Sequence, residues 1–380
     1  MNDRIVIAPD KFKGSLTALQ AAEAIRRGVL AAEPDATCKL CPMADGGEGT
    51  VEVFLERGAQ RAVARVQGPR GKPVDAVYAR HGETAILEMA SASGLELLEP
   101  SQRDPTLTST FGTGELLRNA LDAGARRFVI GIGGSATNDA GIGMLRALGA
   151  YFLDGNGAPI EGDVLEYERT QRIDLSGLDA RIGDANVEVA VDVDNPLCGP
   201  DGASRTFAPQ KGATPEQVDQ LERVLAHLAT VAAQTLRHDY SQMPGAGAAG
   251  GLGFAFAAFL HAKLEPGVRL IARECGLDEL LADATLCLTG EGKIDLQTLH
   301  GKTVAGVAEI ACKHGVPVTA FGGVVEMDAV AKLAERGVRA VPIAPPGTPV
   351  EESIRDAAAF LESAAMWSVQ EPDGVRAVWG

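Results

Sequence analysis

Apolar runs alternate with amphipathic stretches at both ends of the chain, and a different rhythm occupies the middle. Residues 4–10 (RIVIAPD) run apolar into a polar turn, the pattern of a strand buried on both faces of a parallel sheet. From Thr17 to Glu33, the residues Leu19, Ala22, Ile25, Val29 and Leu30 fall on one helical face, and Thr17 with Gln20 has capping-box spacing. TCKLCPM (37–43) predicts a second strand, and Val51 to Arg57 a short helix closed by Gly58. The alternation returns late, in LCLTG (286–290), VPVTAFGG (316–323) and VRAVPIAP (338–345), with helices starting near Val304 and Asp328 between them. Strand and helix in turn predict a parallel sheet with helices on its faces.

Between the ends, VARVQG, VDAVYAR and TAILEMA (63–90) are strands with short connections, the mark of an antiparallel meander. Thr113 is placed to cap a helix reaching Ala123, where Gly124 stops it. Phe128, Val129 and Ile130 make a strand, and YFLD (151–154) and NVEVAVDVDNPLCG (186–199) predict two more. The strongest helix signal follows: Thr214 caps, Pro215 takes the first turn and Gln217 completes the box, ahead of a stripe from Val218 to Leu236. PGAGAAGGLG (244–253) then breaks the chain before an apolar helix, FAFAAFLHA. The expectation is an α/β fold of two domains. A doubly wound parallel-sheet domain is built from both chain ends (1–60 and 281–380), and a mixed α/β domain (61–280) is inserted, with the active site in the cleft between them.

Gly131 to Gly143 (GIGGSATNDAGIG) joins the 128–130 strand to a helical stripe of Met144, Leu145, Ala147 and Leu148. Glycines let the backbone pass close to a ligand, and N–H groups at a helix start favour an anion, so phosphate is the natural guest. The same turn carries a partial dinucleotide fingerprint, Gly131-x-Gly133-x-x-Ala136, with Asp154 ending the next strand where a ribose-binding acid would stand. That leaves open an NAD-dependent oxidoreductase acting on a small hydroxy acid. Against it, Asn138 and Asp139 crowd the first helical turn, Gly141 and Gly143 weaken that helix, and a meander precedes it. A Walker A loop is absent, because Leu296 stands where the glycine ahead of Gly301-Lys302-Thr303 belongs.

Composition narrows the field. With 380 residues, 46% of them hydrophobic and 23% charged, the chain can bury a large core. A net charge of −16 argues against a nucleic-acid surface and demands locally basic sites for any anionic substrate. No apolar run is long enough to span a membrane and no charged-then-apolar leader is seen, so a cytoplasmic protein without a membrane partner is expected. Cys38 and Cys41 form a Cys-x-x-Cys on a predicted strand, where residues three apart face opposite ways, and no second pair completes a zinc site. The six cysteines read as reduced thiols.

Polar residues gather just past the predicted strands, where open α/β proteins place their ligands. Asp10, Lys11 and Lys13 follow the first, with Gly14 and Ser15 able to offer N–H groups; Asp45, Gly46, Gly47 and Glu48 follow the second. Asp192, Asp194 and Asn195 follow the 187–191 strand, and Glu291, Lys293 and Asp295 the 286–289 strand, with Lys302 at the next helix start. Taken singly, each acid could be a helix cap or a solvated turn. Their recurrence suits phosphoryl transfer, in which oxygen ligands hold Mg²⁺, lysines neutralise developing charge and one carboxylate takes the acceptor proton. Arg205 and Lys211, in GASRTFAPQKGA, are loop cations able to bind a substrate carboxylate. No histidine sits in a nucleophile elbow, and only His300 stands near these polar loops.

The blocks IAPDKFKGSLTA, PMADGGEGT, GIGGSATNDAGIGMLRALGA, DVDNPLCGPDGAS, APQKGA, PGAGAAGGLG and TGEGKID…GKT together resemble the bacterial glycerate kinase family, in the family's order and over most of the chain. The resemblance implies ATP- and Mg²⁺-dependent phosphorylation of D-glycerate, with 2-phosphoglycerate the expected product, and a flavodoxin-like first domain. Within the blocks, Asp192 is the candidate general base, with Asp10 and Lys11 beside it in catalysis. Lys13, Ser15 and Arg205 are candidates for the glycerate. Gly133, Gly134, Ser135, Asn138, Lys211 and Lys302 are candidates for the nucleotide phosphates, and Asp45, Glu291 and Asp295 for Mg²⁺. Ala208 and Leu296 depart from the family's usual residues without altering a charged position. Glycerate and ATP are the expected partners, neither nucleic acid nor membrane is, and a homo-oligomer is left open.

Overall fold

The computed structural model describes residues 3–299 and 302–370. Strands β1 (Arg4–Ile7) and β2 (Thr37–Leu40) open the chain. Then come β3 (Gln60–Gln67), β4 (Pro73–His81), β5 (Thr84–Glu88), β6 (Arg127–Gly131), β7 (Tyr151–Leu153), β8 (Arg172–Asp174), β9 (Asn186–Ala190) and β10 (Lys263–Glu265). Last are β11 (Leu286–Ile294), β12 (Val318–Val325) and β13 (Val338–Pro342). The chain divides into two compact units: one runs to Asp45 and resumes at Pro266, and the other is Gly46–Glu265.

The first unit holds a parallel sheet of order β13-β12-β11-β1-β2. Counted within the unit this is 2-1-3-4-5, the doubly wound flavodoxin order, whose switch point lies between β1 and β11. Ile5, Ile7 and Leu288 point to a face covered by the helices Ala18–Ala32 and Ala357–Gln370, which contribute Ile25, Val29, Leu361 and Ala365. These helices approach so closely that a Cβ on Gly28 would lie 2.1 Å from the carbonyl oxygen of Glu362. The first helix starts on the Thr17 capping box that the spacing predicts, with Thr17 Oγ1 accepting from Gln20 N–H and Gln20 Oε1 from Thr17 N–H. The helix Thr303–Lys313 packs on β11 and β12.

The second unit carries a mixed sheet of order β10-β9-β6-β5-β4-β3. The meander appears as expected, with β3, β4 and β5 antiparallel, while β5, β6, β9 and β10 run parallel. The long helix Pro215–Leu236 begins on the Thr214 box and lays Val218, Leu221, Leu225 and Leu228 into the core.

Four expectations change. The divisions fall at Asp45/Gly46 and Glu265/Pro266, not at 60/61 and 280/281. The helix Thr50–Glu56 packs on β4 and β5 and so joins the second unit, while Gly267–Cys275 and Leu277–Leu281 pack on Thr303–Lys313 and join the first. Strand β11 continues to Ile294, so Glu291 and Lys293 lie in the strand and not in a loop past it. Thr113 is inside the helix Phe111–Asp122, with its hydroxyl bonded to Ser93 Oγ (2.9 Å), and caps nothing. Strand β7 pairs with β8 in a separate two-stranded antiparallel ribbon. Among the described residues, no helix is long and apolar enough to cross a membrane.

Candidate functional site

In the first unit, acids meet at the switch point. Asp10 leaves β1 with its N–H donated to the Gly290 carbonyl (2.8 Å), and its carboxylate accepts from Lys11 N–H (2.7 Å) and from the Thr303 hydroxyl. Burial, then the charge of Asp45, push Asp10 up to about 7, with Glu291 adding to the effect against the two hydrogen bonds. Glu291 is buried in β11 and accepts from Thr298 Oγ1 (2.7 Å). Burial raises it to about 7 as well, although Thr298 and Lys302 pull the other way. Burial is the larger cause in both, and the neighbouring carboxylates add to it. Gly290 and Gly292 make the approach feasible, because Cβ atoms there would lie 3.2 Å from the Phe12 ring and 3.0 Å from Lys13 N.

Asp295 sits at the end of this group. Burial pushes it up, but the Lys293 ammonium (3.2 Å), the Gln297 N–H (2.8 Å) and Lys302 outweigh that and leave it below the usual carboxylate range. Lys302 stands at the N-cap of Thr303–Lys313, half-buried, and its charge acts on both Glu291 and Asp295. Among the described residues, no three His, Cys, Asp or Glu side chains converge as a ready-made metal centre. Magnesium needs none, since it is commonly held by one or two carboxylates together with substrate phosphates. Lys11 is half-buried and Lys13 exposed, while Ser15 closes a turn by donating both N–H (2.9 Å) and hydroxyl (3.0 Å) to the Phe12 carbonyl. His300 and Gly301 lie outside the described residues.

In the second unit, the glycine-rich segment leaves the carboxyl end of β6. Gly133 and Gly134 are exposed, and Gly134 takes φ +74°. A Cβ on Gly131 would lie 2.0 Å from the Gly46 carbonyl oxygen, so the backbone of the 46–49 loop passes directly over it. That loop is tied by Val51 N–H to Glu88 Oε1 (2.7 Å), at the end of the neighbouring strand β5. Ser135, Thr137, Asn138 and Asp139 all turn inward and are buried. Asp139 accepts from Thr110 N–H (2.9 Å) and hydroxyl (2.8 Å), Gly141 N–H (3.1 Å) and Gly143 N–H (3.2 Å). Burial still raises its pKa against those four donors.

Two phosphate candidates therefore stand behind the loop and not on its exposed rim. Asn138 is fully buried, and its amide donates to Ser204 Oγ (3.0 Å). Lys211 is also buried, with its ammonium donated to Ser135 Oγ (2.6 Å) and the Thr137 carbonyl (2.7 Å). Asp192 is exposed just past β9; since Ala190 is the register partner of Gly131, Asp192 and Gly133 leave adjacent strands at the same edge. Arg205 is exposed and pairs with Asp219 (3.2 Å) on the long helix, an exposed ion pair. Asp154 folds back onto the N–H groups of Asn156 and Ala158 (2.9 Å each) in the β7–β8 ribbon. It ends no strand of the main sheet, so the ribose-binding acid of the dinucleotide reading is missing.

Several supporting residues carry no motif of their own. Thr298 holds the Glu291 carboxylate and accepts from Asp295 N–H, Thr110 holds Asp139 and accepts from Met144 N–H, and Ser204 accepts from Asn138. Thr303 was visible as the end of a GKT triplet, but its role at Asp10 depends on a strand 293 residues away.

Comparison with known proteins identifies the family. Residues 5–370 match the model described as the glycerate kinase family. A glycerate kinase of Bacillus subtilis (strain 168) is 45% identical over 366 residues, covering 95% of this chain and 96% of its own. A glycerate 2-kinase of Escherichia coli (strain K12) is 47% identical over 342 residues, covering 89% of each. A crystal structure of a candidate glycerate kinase 2 from Salmonella typhimurium LT2 superposes with a TM-score of 0.87 at 42% identity, covering 98% of each chain.

Proposed function

The chain belongs to the glycerate kinase family, and we propose that it transfers the γ-phosphoryl group of ATP to the 2-hydroxyl of D-glycerate. It is a phosphotransferase with an alcohol acceptor; the oxidoreductase reading has no support. The observation that carries the nucleotide assignment is the exposed Gly133–Gly134 backbone at the carboxyl end of β6, anchored from behind by buried polar side chains. Free N–H groups on such a turn match phosphate oxygens, and Ser135 begins its anchored end.

Asp192 then takes the proton of the attacking glycerate hydroxyl as the oxygen–phosphorus bond forms and the bond to the leaving ADP breaks. Lys11 and Lys13 bring positive charge to the transferred group or to the glycerate carboxylate, and Lys302 assists from its helix start. Asp45 and Glu291, flanked by Asp295, fit Mg²⁺: they are hard oxygen donors, and burial, with neighbouring carboxylate charge after it, raises Asp10 and Glu291, a cost that a cation would relieve. Bound there, Mg²⁺ would neutralise phosphate charge during transfer. Asp10, held by Thr303, orients the reacting groups. We place the enzyme in the cytoplasm, where thiols such as its disulfide-free cysteines stay reduced.

Incubation with D-glycerate, ATP and Mg²⁺ is expected to release ADP and phosphoglycerate, with ³¹P–¹H coupling in the product placing the phosphate on carbon 2. Turnover of glycerate with NAD and without ATP would overturn the reading, and a 3-phosphoglycerate product would overturn its regiochemistry.

A further inference from the structure

Lys211 ends a single 3₁₀ turn, Pro209–Lys211, and is 2% exposed. A buried ammonium is costly unless its protons are taken up, and here two are: by Ser135 Oγ at 2.6 Å and by the Thr137 carbonyl at 2.7 Å. The residues it grips flank Ala136, whose N–H donates to the Ser93 carbonyl (2.9 Å) and whose carbonyl accepts from Thr108 Oγ1 (3.0 Å). Three successive residues of the loop are thus pinned from the protein side, while Gly133 and Gly134 immediately before them face solvent. Gly212 allows the chain to turn Lys211 inward, with φ +97° and a virtual Cβ only 2.2 Å from the Arg103 carbonyl oxygen. A lysine that ligates phosphate needs its ammonium on the ligand's side of the loop. This one is buried, and two of its three N–H groups are given to the loop itself.

We propose that Lys211 is a positioning residue of the kinase, which grips Ser135 and Thr137 from beneath so that the exposed Gly133–Gly134 backbone keeps the shape that receives the nucleotide phosphates, without touching them itself. The role rests on the phosphate-binding reading of that loop. It differs from a ligand role in a checkable way: its loss disturbs the loop before any nucleotide is present. The Asp139 carboxylate is the charge that favours the ammonium, and burial opposes it.

Lys211→Met keeps the length of the side chain and deletes both donors. Hydrogen–deuterium exchange of the full-length enzyme without nucleotide is expected to quicken by about tenfold in amides 133–138 and to stay unchanged in 4–10. The KM for ATP is expected to rise by about tenfold with kcat within about threefold. Ser135→Ala removes one of the two anchors, should give a smaller change of the same kind, and serves alone if the lysine variant does not fold. Added to Lys211→Met it should cost little more, since the contact is already lost. A raised KM with unchanged exchange means that Lys211 binds the nucleotide directly and overturns the proposal. Faster exchange with an unchanged KM overturns instead the phosphate reading of the loop on which the proposal rests.

Discussion

The hydroxyl of Thr303 donates to the carboxylate of Asp10, joining the start of a late helix to the end of the first strand across 293 residues of sequence. The bond fixes the direction in which Asp10 presents its other oxygen, already constrained by Lys11 N–H. A hydrogen bond to a charged group is worth about 1.5–3 kcal/mol. Thr303→Val, which keeps the shape, should therefore lower kcat by about tenfold or more, and Thr303→Ser should restore most of it. Equal activity in the valine and serine variants would separate the hydroxyl from catalysis.

Asp192→Asn should lower kcat by at least about 100-fold, the range for loss of a general base, while nucleotide affinity stays near wild type. Calorimetric titration with ATP, alongside turnover, checks both halves. Wild-type turnover would move the proton to another acceptor.

Lys211 gives stability a pH dependence with a definite sign. Burial lowers it to about 7 in the folded protein, while the unfolded chain keeps the ordinary lysine value near 10.5. Between those limits the unfolded state binds more protons, so the stability linked to this group rises with pH and is lost as pH falls toward 7. Melting curves from pH 7 to 9.5 should show wild type gaining on Lys211→Met as the pH increases. A constant difference between the two would mean that Lys211 does not titrate in that window.

Gly131→Ala should damage the second unit. The new methyl, fixed on its Cα, would meet the backbone carbonyl oxygen of Gly46 at 2.0 Å, so no side-chain rotation relieves the clash. Overpacking of this kind costs about 1–3 kcal/mol. A lower urea midpoint with an unchanged slope is the expected signature, and a wild-type midpoint would show that the 46–49 loop yields freely.

What could be read in advance was whatever depends on near neighbours. Thr17 with Gln20 and Thr214 with Gln217 became capping boxes because all their atoms lie within one turn. The meander followed from period-two patterning with short connections. The glycine-rich turn and the acids at strand ends were legible as residue types, because a sheet delivers whatever follows its strands to one edge. Their orientation was not. Asn138 and Lys211 look like phosphate ligands in a string of letters, and only tertiary packing turns them inward. Arg205 pairs with Asp219, fourteen positions on and within the long helix, a partner that no local spacing reveals. The misplaced unit boundaries have the same origin, since a short amphipathic helix does not announce which sheet will cover its apolar face.

The place of β1 in its sheet bears on how the protein is made. β1 is flanked by β2 and by β11, and contacts such as Thr289 Oγ1 to the Ala8 carbonyl close only across 281 residues. At a synthesis rate of ~5–20 residues per second, that gap is on the order of 15–55 s. Until β11 emerges from the ribosome, β1 and β2 present an apolar edge with no third strand, and every residue of the Gly46–Glu265 unit emerges before β11 does. The inserted unit is thus expected to gain protease resistance on the nascent chain first, and the N-terminal strands to be the segment that a chaperone must shield longest.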